Sequence, residues 1–222
     1  RSTYLYNVGA PVNDKTPSDY DALHNNNIIE RTQHFEEYYA YDDGSAESGY
    51  ALDYGNLPNG PGYTVVKYDL EIPDTLQGVD IHFNRALDEV GTRPIFLQFY
   101  QQIANGPGKT DQLIYEILTT PTYVNRKNGF ARFLLDTTIL LPKGEFFVGF
   151  KQTSNFAVNI GFDENYRFQN QDVRNPNVYY NLLGQWEPMP SVGFEGALMI
   201  RPLIGKRLRD AVKTETVVRK DV

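Results

Sequence analysis

Asp42, Asp43 and Glu47 gather three carboxylates around Gly44 in the stretch Tyr38-Tyr39-Ala40-Tyr41-Asp42-Asp43-Gly44-Ser45-Ala46-Glu47. Carboxylates on a tight turn, completed by backbone carbonyls, supply the hard oxygen ligands that calcium takes. These three residues are therefore the candidate metal ligands, and calcium is the candidate ion, although the spacing is not that of an EF-hand loop. A competing reading needs no ion: Asp side chains accept hydrogen bonds from backbone amides two residues on and close a turn by themselves. On either reading the turn is tight, and Gly44 is placed to take the positive φ that a sharp reversal uses. Asp163-Glu164-Asn165 presents the same choice on a smaller scale.

The second group with chemistry to offer is aromatic. Trp186, the only tryptophan, follows Tyr179 and Tyr180 in the loop-like stretch Leu183-Gly184-Gln185-Trp186-Glu187-Pro188. Exposed rings of this kind stack on sugar faces, which makes Trp186, Tyr179 and Tyr180 the candidate ligand-binding residues. A lone Trp near a strand end more often caps a core, and that is the favoured reading of Trp186.

Nothing in the sequence points to catalysis. It carries no Gly-x-Ser-x-Gly elbow, no His-Glu-x-x-His and no Gly-x-x-x-x-Gly-Lys-Ser/Thr loop. The three histidines, His24, His34 and His82, have no ligand-like spacing. The doublets Glu36-Glu37, Asp42-Asp43 and Asp163-Glu164 are not glycosidase pairs, because neighbours on a strand point to opposite faces while that chemistry needs two acids facing one another. The expectation is a protein that is not an enzyme.

Composition narrows the partners. With 28 acidic against 21 basic residues the net charge is −7, so polyphosphate chains have no general attraction to it and nucleic acid is not an expected partner. There is no cysteine, hence no disulfide framework and no thiolate zinc site. No run of apolar residues is long enough to span a bilayer. The start at Arg1 reads as a segment trimmed from a longer precursor, which makes neighbouring domains expected partners.

The elements that must position these residues read as β. Tyr and Phe, 16 and 13 of them, favour pleated half-buried surfaces, while 18 Gly and 13 Pro interrupt long helices. Runs rich in β-branched and aromatic residues recur at 63–71, 76–84, 94–103, 112–118, 130–138, 145–153, 156–163, 178–183 and 193–203, each bounded by turn residues. Alternation in Val79-Ile81-Phe83 and Phe146-Val148-Phe150 puts each set on one sheet face, and two such faces must meet. The fold class expected is therefore all-β, an antiparallel β-sandwich of jelly-roll-like form with little helix. Residues 1–34 read as an irregular N-terminal lead-in, 35–205 as the sandwich module, and 206–222 as a linker or short helix. That last stretch carries six basic residues against three acidic ones.

Several short segments, in order, carry a family resemblance. Phe35 to Leu52, Leu76 to Asn84, Phe146 to Gln152, Asn159 to Asn165 and Gly196 to Pro202 resemble a module of large secreted Bacteroidetes proteins that stands beside C-terminal type IX secretion sorting domains. The module is similar in outline to galactose-binding-like and cleaved-adhesin jelly rolls. The resemblance spans about Phe35 to Gly205 and implies export, surface display and a β module, with no catalytic residues to carry over. Residues 206–222 would then connect to the sorting domain. The function expected is a non-catalytic adhesion or carbohydrate-binding module with a glycan or extracellular protein as partner. A structural spacer for a neighbouring domain comes second and a glycoside hydrolase-like enzyme third.

Overall fold

The computed structural model describes residues 2–7, 28–33, 37–52, 61–85, 91–153, 156–165, 177–189 and 196–205. The chain divides into two units, Arg1–Glu37 and Tyr38–Val222. In the first, β1 (Ser2–Asn7) pairs antiparallel with β2 (Ile28–Gln33), in register from Ser2↔Gln33 to Asn7↔Ile28. An irregular lead-in was the expectation for this stretch. Ser-Thr-Tyr-Leu-Tyr-Asn nonetheless has the Thr and Tyr content of a strand, and its partner begins with Ile-Ile. The long separation between the two runs hides them from a search for hairpin turns. His24, His34 and residues 206–222 lie outside the described residues.

The second unit is an antiparallel β-sandwich. Its strands are β3 (Ser48–Tyr50), β4 (Gly62–Leu70), β5 (Asp74–Ile81), β6 (Ile95–Gln102), β7 (Gln112–Thr119), β8 (Ala131–Leu141), β9 (Gly144–Gln152), β10 (Ile160–Asp163), β11 (Val178–Asn181), β12 (Glu187–Pro188), β13 (Ala197–Leu198) and β14 (Ile200–Ile204). One sheet has six strands in the order β12-β11-β4-β9-β6-β7. Opposite it stand β14-β5-β8 and β13-β10-β3. These two are stitched together by backbone bonds from His82 N to Met199 O, Met199 N to Gly161 O and Gly161 N to His82 O, of 3.1, 2.9 and 2.9 Å. The chain crosses from one layer to the other between β4 and β5 and returns between β8 and β9. Because β4 pairs with β9 and β5 with β8, the two arches lie side by side.

The core follows from alternation. Val66, Tyr68 and Leu70 of β4, Leu97 and Phe99 of β6, and Phe146, Val148 and Phe150 of β9 meet Leu76, Val79 and Ile81 of β5, Ile160 of β10 and Ile200 of β14 in one buried cluster. Each large side chain so buried contributes about 1.5–3 kcal/mol. Central strands β4 and β9 are buried on their other face too. There Val65, Phe147, Tyr100, Ile103, Tyr179 and Trp186 form a second, smaller cluster. Among the described residues no helix is long and apolar enough to cross a membrane.

Candidate functional site

The two acidic segments come together. Glu47 N donates to Phe162 O (3.1 Å), laying the turn along β10, and Asp43 N donates to Asp163 Oδ2 (2.7 Å). Asp42 turns inward and its side chain is fully buried against Arg201. Arg201 Nε lies 3.1 Å from both carboxylate oxygens, Nη2 also donates to Oδ1, and Gly44 N donates to the same oxygen at 3.0 Å. The guanidinium is sandwiched between Tyr38 and Phe130, 4.7 and 4.0 Å from their ring centroids. Burial alone would lower its proton affinity, but the hydrogen bond and charge of Asp42 outweigh that and hold the Arg201 pKa above its ordinary value.

Asp43 and Glu47 face outward. Ser45 Oγ lies 2.6 Å from Asp43 Oδ1 and 3.0 Å from Glu47 Oε1 and can donate to one at a time. Backbone amides complete the set: Ser45 N to Asp43 Oδ1 (2.8 Å), Glu164 N to Glu47 Oε2 (3.1 Å) and Asn165 N to Asp163 Oδ1 (2.8 Å). The Ser45 hydroxyl holds the Asp43 carboxyl below the usual carboxylate range, against a smaller opposing effect of burial. Gly44 has φ +94°, the left-handed conformation expected for it. Of the three candidate calcium ligands, Asp42 thus faces away from Asp43 and Glu47, toward Arg201. Among the described residues no three His, Asp or Glu side chains are disposed to share a metal ion.

The aromatic candidates separate by sheet face. Tyr179 and Trp186 join the second cluster, 7% and 8% exposed, so most of each ring is already covered. Tyr63 and Tyr100 meet Trp186 edge-on, each at 5.9 Å, and Trp186 Nε1 donates to Asp111 Oδ1 (2.9 Å). Phe147 meets Tyr179 edge-on at 6.0 Å, and burial pushes the Tyr179 pKa up. Tyr180, one residue on, points to the opposite face, packs against the main core and donates to Glu187 Oε2 (2.7 Å).

A cavity of about 310 Å³ opens where the chain leaves β5 and meets the loop from β7 to β8. Its walls include His82, Asn84 and Arg85 on one side and Arg126, Lys127 and Asn128 on the other. The loop is fixed by short backbone bonds, Arg126 N to Val124 O (2.8 Å) and Gly129 N to Arg126 O (3.0 Å), with Asn128 at φ +52°. His82 Nδ1 lies 2.8 Å from Gly129 O; since a carbonyl only accepts, Nδ1 carries the proton and pins the loop to the strand end. Sequence reasoning missed this cavity and Arg201. The available signals were the turn dipeptide Asn128-Gly129 behind two adjacent cations, and a lone Arg within the apolar run of β14.

Compared with known proteins, the chain matches no family model and no curated sequence.

Proposed function

We propose that the chain is a non-catalytic binding module of a secreted or surface-displayed bacterial protein, recognising a glycan or an extracellular protein. The observation that carries this reading is the cavity between Asn84-Arg85 and Arg126-Lys127-Asn128, a concave site lined by amides and cations where the chain leaves β5. The segments resembling an exported Bacteroidetes module support the location, with type IX secretion as the route and jelly-roll-like topology as the finer fold.

The test is retention of the purified chain on a panel of polysaccharides and host-matrix proteins. Binding to at least one of them is expected. Failure on every member would overturn the reading in favour of a structural spacer, which deletion from the precursor, followed by its export and folding, would reveal.

A further inference from the structure

We infer that the cavity beside β5 is a subsite for an anionic substituent, the carboxylate of a uronic acid or the sulfate ester of an acidic polysaccharide; this rests on the binding-module reading. Three cations, Arg85, Arg126 and Lys127, border one concavity in a chain whose net charge is −7, and no carboxylate is among the described residues lining it. Positive charge along one rim raises the local potential for an anion. Neither Arg126 nor Lys127 is ion-paired with a described residue, and both are exposed.

The cations stand on a built wall. Arg85 lies over the Tyr123 ring at 5.2 Å, and Tyr123 meets Phe83 edge-on at 6.4 Å, so an aromatic ladder rooted in the core orients that guanidinium. Across the cavity, Gly129 packs so closely that an added Cβ would lie 2.6 Å from Val124 Cγ1, and its carbonyl accepts a hydrogen bond from His82 Nδ1. Arg126 and Lys127 are therefore presented from a fixed turn. Guanidinium forks match the paired oxygens of carboxylate and sulfate. Asn125 and Asn128 add amides of the kind that read sugar hydroxyls. An acidic saccharide satisfies both features. A nucleic acid does not, because its run of phosphates has no general attraction to a chain of net charge −7.

The experiment has two arms. In the first, the wild-type chain and the double variant Arg126→Gln/Lys127→Gln are compared by affinity electrophoresis in polygalacturonate, in a sulfated galactan and in a neutral glucan. Binding to one acidic polymer is expected, with the better of the two naming the substituent. It should weaken about tenfold or more in the variant, as loss of charge-assisted contacts requires. It should also fade in molar salt, where the Debye length is about 3 Å. Binding to the neutral polymer alone, unchanged in the variant, would overturn the subsite and leave the module reading standing. In the second arm, inorganic sulfate is titrated into the labelled chain and amide resonances of residues 124–129 are followed. Saturable shifts present in the wild type and lost in the variant support the subsite even where no polymer on the panel binds. Shifts that never saturate, or that persist in the variant, overturn it.

Discussion

The Asp42–Arg201 pair shows how one charged contact can organise several segments. A guanidinium within the buried strand β14 is stable only if its charge is met, and Asp42 meets it from a segment far away in sequence while Tyr38 and Phe130 cover its faces. Removing one partner leaves the other buried and unpaired. Asp42→Ala is therefore expected to cost about 3–5 kcal/mol in urea-unfolding free energy, whereas the double change Asp42→Leu/Arg201→Met should recover most of that loss. A small effect of the single change would show that water reaches the pair. The same contact bears on calcium. With Asp42 engaged by Arg201 and Asp43, Glu47 and Asp163 accepting backbone amides, the turn is closed by internal donors. The expected thermal midpoint is the same in excess calcium and in excess chelator; a rise with calcium would mean that the carboxylates reorganise around the ion.

At the scale of the strand, the critical position is Gly149 in the middle of β9, between β4 and β6. A Cβ there would lie 1.9 Å from Thr64 O and 2.6 Å from Val65 Cα, backbone atoms that cannot move without breaking the ladder. Gly149→Ala should cost about 3 kcal/mol, the upper end of the overpacking range, read as a lower denaturant midpoint at unchanged slope. An unperturbed midpoint would show that the β4–β9 spacing relaxes. This is also the scale at which the sequence was most legible. Period-2 alternation in Phe146-Val148-Phe150 and Val79-Ile81-Phe83 located core faces that the structure confirms, because alternation is set by the strand itself. The same rule separates Tyr179 from Tyr180, so they could not have formed one stacking surface. What alternation cannot give is which strands pair. The convergence of Asp43 with Asp163, of Asp42 with Arg201, and of Arg85 with the 126–128 turn depends on those long-range pairings. So does the second apolar cluster, which turns Trp186 inward: it exists because β4 and β9 are covered on both faces.

Across the molecule, the tyrosine-rich composition makes the fold sensitive to alkali. Burial first, with the charge of Asp69 second, pushes Tyr41 up to about 12, and burial likewise takes Tyr50 to about 12. Burial also raises Tyr68 and Tyr100, and the hydrogen bond to Asp136 raises Tyr115. Tyr68 is the most central: its hydroxyl donates to Ile200 O across the sandwich, while its ring stacks on Tyr41 at 5.0 Å and leans on Phe146 at 5.7 Å. Each of these phenols binds its proton more tightly folded than unfolded, where the value is about 10. The contribution to stability is therefore complete below pH about 10 and is lost as pH rises through the folded values. Because the affected residues sit in β4 and β6, in the segments flanking the acidic turn, and on β7, their ionisation should not be local. Phenolate absorbance of the native chain is expected to lag behind that of the guanidinium-denatured chain. The delayed fraction should appear between pH about 10 and 12 together with loss of near-ultraviolet circular dichroism, in one cooperative step. Superimposable native and denatured titrations, with circular dichroism intact to pH 12, would mean that water reaches these phenols and that the two sheets are not sealed around Tyr68.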